Sequence, residues 1–414
     1  MATIKTLPIV ERWDCNSCGN CCRGSIIPLS ADDRARLAKQ NWDQHPDFQD
    51  VRTELKMGMF GGHYRLNQRA DGSCVFLMDD NRCQIHAEHG ADAKPIVCQM
   101  YPLQFVPHQN KTMLTLRRSC PSAAGEDGRE LEQHKDAAVR LAKKGKLLDQ
   151  VVKAPKVTTS FAGSWEDVTP VTSLLDDLLS DERYPLVRRI VHGIRACAVL
   201  DRSKYGQIDK ESKAKLLRAI HDGVADDTTD VFQQREQPDG ATRALFRQCA
   251  AEYLRLHSTY RATNSWGERW RLTRAAVAFA RGQGKTPDLH RDLPVVEFAK
   301  LEDPIGHFGA EVQQPFLRYY EANAKSLQYI IASRPTWPIT RSFRALALGY
   351  PIALWLLRWM AHNREVTLAD AIELVTILDR GQGYESLIGK QHMRRLGLMS
   401  RDGGLERLVA WYAR

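Results

Sequence analysis

Cys15-Asn-Ser-Cys18-Gly-Asn-Cys21-Cys22 is the stretch on which the reading of this chain turns. Three thiols recur at three-residue intervals, which lets a loop wrap around one metal centre, with Gly19 relieving the backbone where the loop is tightest. The C-x2-C-x2-C run matches the opening of bacterial ferredoxin cluster motifs. There a Cys followed by Pro completes the set, and Cys120-Pro121 is such a pair. The adjacent side chains of Cys21 and Cys22 are expected to point apart and not to share one ion.

Outward from this run the other thiols follow as Cys74-x8-Cys83-x14-Cys98, so that eight of the ten cysteines precede residue 121. Cys15, Cys18, Cys21, Cys22, Cys74, Cys83, Cys98 and Cys120 are the candidate metal ligands. They suffice for one four-thiolate site with spares or for two complete sites. Disulfides suit a small secreted scaffold; this chain has 414 residues and opens Met1-Ala-Thr-Ile-Lys-Thr-Leu-Pro, without an apolar leader, so a cytoplasmic location is expected. Zinc is the plain alternative, since paired C-x2-C groups commonly bind it. A vicinal pair and a third Cys at the same spacing favour an iron–sulfur cluster.

The charge divides the chain at the same place. Residues 1–130 carry 16 Lys/Arg against 16 Asp/Glu, whereas residues 131–414 hold 43 against 34 and account for the whole net charge of +9. That excess is spread without a compact basic run, which argues against nucleic-acid binding. No apolar run approaches the ~20 residues of a membrane span. With 43% hydrophobic and 26% charged residues, the composition is globular, not disordered or fibrous.

The front third reads as short pieces. Ser30, with Asp33 three residues on, predicts a capped helix near 31–40, and His63–Asn67 alternates like a strand. Cys74–Met78 and Arg82–His86 flank Asp79-Asp-Asn81 as a small hairpin, and Thr112–Arg117 is a further strand. From 131 the period is helical: 131–150, two helices in 172–200 broken near Pro185, then 211–222, 241–259, 268–281, 311–333, 341–362, 367–379 and 403–413. Linkers are expected at 152–170 and 225–240. The fold class is therefore an α+β Cys-rich metal-binding module, 1–130, followed by a larger all-α domain, 131–414.

Cys15-x2-Cys18-Gly-x-Cys21-Cys22-Arg23, Asp71-Gly-Ser-Cys74-x-Phe76-Leu77, Asn81-Arg-Cys83-x-Ile85-His86, Cys98-x2-Tyr101-Pro102 and Ser119-Cys120-Pro121 together resemble the CxxCxxCC cysteine-cluster family, which includes the flagellin lysine N-methylases. The resemblance covers residues 10–125. Tyr320-x2-Asn323 and the apolar helix 341–360 resemble the helical C-terminal part of those methylases, whereas the first cysteine group is spaced more tightly here. The resemblance implies a 4Fe–4S cluster working with S-adenosylmethionine to methylate protein lysines, with flagellin as the protein substrate. The alternative is a non-catalytic zinc- or iron–sulfur-binding protein with a structural, electron-transfer or docking role.

Other signals have plainer readings. Arg281-Gly-Gln-Gly-Lys-Thr286 lacks the first glycine of a phosphate-binding loop, since Phe279 stands there, and reads as a helix C-cap. Arg23, Arg82, Arg117 and Arg118 could tune a cluster but read better as ordinary paired groups, and His63, His86 and His89 as surface or hydrogen-bonded residues. Cys197 and Cys249 read as core residues on helix faces. The pairs Trp266/Trp270 and Trp355/Trp359, each at i, i+4, read as core stripes.

Overall fold

The computed structural model describes residues 3–57, 62–148, 150, 152–234, 236–255, 266–288, 293–332, 336–383 and 389–414. In the front module two three-stranded sheets carry the helices. β1 (Thr3–Thr6), β2 (Pro28–Leu29), β3 (Glu54–Met57), β4 (His63–Leu66), β5 (Leu103–His108) and β6 (Lys111–Leu116) pair in the orders β1-β6-β5 and β2-β4-β3. β1 lies parallel to β6, with Thr3 opposite Lys111; every other pairing is antiparallel.

The capped helix is α1 (Ala31–Ala38). The Ser30 hydroxyl accepts from the Asp33 amide, and the Asp33 carboxylate accepts from the Ser30 amide, which satisfies two otherwise orphaned donors. The expected hairpin forms only in part. Leu77 bridges Cys83 across the Asp79–Asn81 turn, but the second arm coils into α2 (Gln84–His89), because Gln-Ile-His-Ala-Glu lacks the β-branched run that a strand needs. Then come α3 (Ile96–Met100), α4 (Pro121–Ala124) and α5 (Lys135–Lys144). The helix expected over 131–150 stops at Gly145, with a 3-10 turn at Leu131–His134 before it.

The remainder is helical: α6 (Trp165–Ser180), α7 (Leu186–Arg202), α8 (Lys210–Asp227), α9 (Thr229–Gln234), α10 (Gly240–Arg255), α11 (Trp266–Arg281), α12 (Ala310–Ser326), α13 (Gln328–Ile331), α14 (Ile339–Met360), α15 (Leu368–Gly383), α16 (Lys390–Met399) and α17 (Gly404–Tyr412). Both expected linkers shrink. Ser164 and Asp167 form a second capping box that starts α6 ahead of Pro170, and α8 and α9 fill much of 225–240. Leu327, with φ of 58°, separates α12 from α13 where one helix was expected. Helix α16 was not foreseen. Residues 149, 256–259 and 333 of the expected helices lie outside the described residues, as does the side chain of Trp266.

Burial largely follows the same division, although Val106 of β5 and Ala124 of α4 join the helical cluster. One continuous apolar cluster runs through the helices around α14, where Trp355 and Trp359 are buried as expected. Trp270 is instead 67% exposed, so its stripe does not hold. The front module has two smaller cores. One joins Ile4, Leu103, Phe105, Leu114 and Leu116 to Leu131, Ala138 and Ala142 of the segment that follows. The other gathers Leu29, Leu37, Phe48, Leu66, Phe76 and Ile85 around Trp42. Among the described residues no helix is long and apolar enough to cross a membrane.

Candidate metal centre

The thiol-bearing loop is fixed at its entrance by backbone pairing. The Trp13 and Asp14 amides donate to the Arg129 and Asp127 carbonyls, the Ser122 hydroxyl donates to the Asp14 carbonyl, and Arg129 grips the Asp14 carboxylate, holding it down at about 2. Gly128, at φ of 117°, lies so close to Asp14 that a Cβ would fall 2.4 Å from its amide nitrogen. Beyond Cys18 the chain turns through Gly19, at φ of 70°, into a 3-10 turn over Asn20–Cys22. That turn corrects one expectation: Cys21 and Cys22 converge, with Sγ atoms 3.8 Å apart and unbonded.

The other thiols come from separate elements. Cys74 is buried in the Trp42 core, Cys83 is the N-cap of α2, Cys98 lies on α3, and Cys120 is the N-cap of α4 in the other front core. The thiols therefore straddle the two small cores. All ten cysteines are free, and Cys15, Cys18 and Cys21 are exposed. Cys21 is the common neighbour, within electrostatic reach of Cys18, Cys22, Cys74, Cys83, Cys98 and Cys120. Cys15 adjoins Cys18. Among the described residues no three of these eight sulfurs lie within 4.8 Å of one another, so a shared ion requires them to draw inward.

Their titration follows from this crowding. The contact between the two thiols holds Cys21 down at about 7, aided by Lys94 and Arg380; the same contact and burial drive Cys22 upward. Burial and the neighbouring thiols push Cys74 and Cys120 up to about 11, and raise Cys98, Cys83 and Cys18. Backbone N–H groups of Phe76, of Ile85 and His86, and of Ser122 and Ala123 work the other way, each favouring the thiolate of Cys74, Cys83 or Cys120. Amide donors aimed at crowded sulfurs fit thiolates bound to a soft cation, which would remove the repulsion.

The arginines sort themselves by partner. Arg23 donates to Asn81, Arg82 pairs with Asp80, and Arg118 is fully buried against Glu11, Glu126 and the Ala123 carbonyl. Arg117 pairs with Asp379 at 2.8 Å. A further cation, Arg380, which sequence reading does not single out, reaches the thiol loop. It donates to the Asn20 carbonyl at 2.7 Å and to the Arg23 carbonyl at 3.3 Å. Asp379 also accepts from the Ser119 amide, next to Cys120, so one turn of α15 clasps both ends of the centre. His86 is exposed on α2 and His89 meets Trp42 edge to face. Gly282, at φ of 62°, ends α11 as expected of a helix C-cap. Tyr320 and Asn323 are core residues of α12, hydrogen-bonded to the Leu346 and Tyr319 carbonyls.

Comparison with known proteins agrees with this geometry. A CxxCxxCC family model, described as "Putative zinc- or iron-chelating domain", matches residues 14–121. Over 111 residues, 26% of this chain, the sequence is 29% identical to an uncharacterized protein of Methanocaldococcus jannaschii, and it spans 36% of that relative's length. No solved structure matches. Residues 14–121 are thus a CxxCxxCC domain, of the zinc- or iron-chelating kind, clasped by the helical region that follows it.

Proposed function

We propose that Cys15, Cys18, Cys21, Cys22, Cys74, Cys83, Cys98 and Cys120 bind an iron–sulfur centre, with zinc as the competing metal. The observation that carries this reading is the placement of Cys21 among six other thiols drawn from five segments of the chain. Unpaired thiols throughout agree with a reducing, cytoplasmic setting. Anaerobic purification followed by iron, sulfide and zinc analysis tests it. About four iron and four sulfide per cluster are expected, and colourless protein with one or two zinc ions would turn the reading to zinc.

The finer reading is methyl transfer from S-adenosylmethionine to lysine side chains of a protein such as flagellin, and the family resemblance is what supports it. When bound, the cluster would supply one-electron chemistry to the adenosylmethionine sulfonium. Cys15, Cys18 and Cys21 lie at an exposed edge that a small molecule can reach, while Arg380 and the Ser119 amide hold the loop in place. Cys18→Ala is expected to lose both colour and transfer of labelled methyl groups to flagellin; an active, colourless variant would overturn this reading.

The Asp379–Arg380 clasp favours a second reading, in which the metal is structural and the helical domain is a docking platform. Zinc retained with no methyl transfer would support it.

A further inference from the structure

A second group of ligand-bearing side chains lies in the helical region, far in sequence from the front thiols. Cys249 and Glu252 are three residues apart on one face of α10, and His392 comes from α16 packed against it. The Cys249 sulfur, a Glu252 carboxylate oxygen and a His392 ring nitrogen all lie within 4.8 Å of one another. Around a tetrahedral zinc with bonds of about 2.0–2.3 Å, such atoms stand roughly 3.5 Å apart, so the carboxylate–imidazole edge, now 2.6 Å, has to open by about 1 Å to admit the ion, while no edge to the sulfur exceeds 4.8 Å.

From Cys249, Glu252 and His392 we infer a second metal site, for a single zinc-like divalent cation, distinct from the cysteine centre of the front module. Thiolate, carboxylate and imidazole are the donor types zinc takes, and three protein ligands leave a fourth position for water. Glu252 has a quarter of its side chain exposed, which gives that position a way to solvent, whereas Cys249 and His392 are closed off. The cluster as it stands is incompletely satisfied. His392 Nδ1 meets Glu252 Oε2 at 2.6 Å, but its buried Nε2 has no hydrogen-bond partner among the described residues.

Binding would deprotonate the thiol: its proton leaves to solvent as the metal–sulfur bond forms. Arg395 holds the other Glu252 oxygen and orients the carboxylate. A thiol nucleophile is the poorer reading, because Cys249 is fully buried.

Zinc itself is the probe. Full-length protein, Cys249→Ser and His392→Gln are purified anaerobically, dialysed against zinc and freed of excess, with helicity checked by circular dichroism. Each variant is expected to carry about one zinc equivalent less than the parent, with its remaining metal and sulfide unchanged. Equal zinc in all three would overturn the site and leave a buried ion pair. X-ray absorption at the zinc edge of the unmutated protein gives an answer even if both variants misfold. A shell mixing sulfur with nitrogen and oxygen is expected, and a sulfur-only shell overturns the proposal. Loss of the front centre in Cys18→Ala leaves this zinc in place, so the two sites fail separately.

Discussion

In the helical region a single apolar cluster extends from α6 through α14 to α17, and its largest buried side chains, Trp355 and Trp359, meet edge to face with ring centres 5.8 Å apart. In the front module Val106 and Ala124 join that cluster, but most of the apolar residues divide into two small cores, and the thiols stand between them. A large continuous core removes more apolar surface from water than small separate ones, and small modules of this kind commonly draw on a metal. On the reading proposed above, the cysteines are the front module's counterpart of the α14 core. Between the two regions Asp379 and Arg380 tie helix to thiol loop.

Metal removal should separate the two regions most sharply. Structural metal–thiolate sites contribute about 10 kcal/mol to folding, so chelation should open residues 15–120 to protease while most helical ellipticity at 222 nm persists. A front module that resists protease equally without metal would erase the contrast. The converse test is Trp355→Ala, which should cost about 4 kcal/mol and lower the melting temperature of the helical region with metal content unchanged.

The tie itself is tested by Asp379→Ala, which removes the acceptor of Arg117 and of the Ser119 amide. A loss of about 3 kcal/mol is expected, with one calorimetric transition becoming two. If a single transition remains, other contacts couple the regions.

Acid should distinguish them next. Burial, helped by Arg188, depresses His192 in α7 from 6.5 to about 4, so it stays neutral in the fold. Its contribution is therefore complete above pH 6.5 and is lost as pH falls toward 4, where the unfolded chain binds a proton that the fold does not. His192→Gln should flatten the stability profile of the helical region between these values by about 2 kcal/mol, measured by urea titration at each pH. Ser30→Ala, which removes the α1 cap, should cost about 1 kcal/mol and be felt in the front module alone.

Much of this was legible in the sequence because it is local. The 3.6-residue period, the Ser30–Asp33 cap, the break before Pro185 and the cysteine spacings depend on residues a few positions apart, and the structure shows the same features. Even local reading failed where two short-range preferences compete: the arm after Cys83 is helix, and Ser164–Asp167 starts α6 inside an expected linker.

What only the tertiary structure decided is which distant residues meet. The sequence alone marked the eight front cysteines as candidate metal ligands, for one site or two, and the remainder as helical. It could not show that Thr3–Thr6 pairs with Lys111–Leu114, that Cys21 and Cys22 converge, or that Arg380 reaches the loop around Asn20. Nor could it set Cys249, an apparent core residue, beside His392 some 140 positions away. The reason is physical. Periodicity reports how much apolar surface each element must bury, whereas the choice of partner depends on how whole faces fit, which no local window contains.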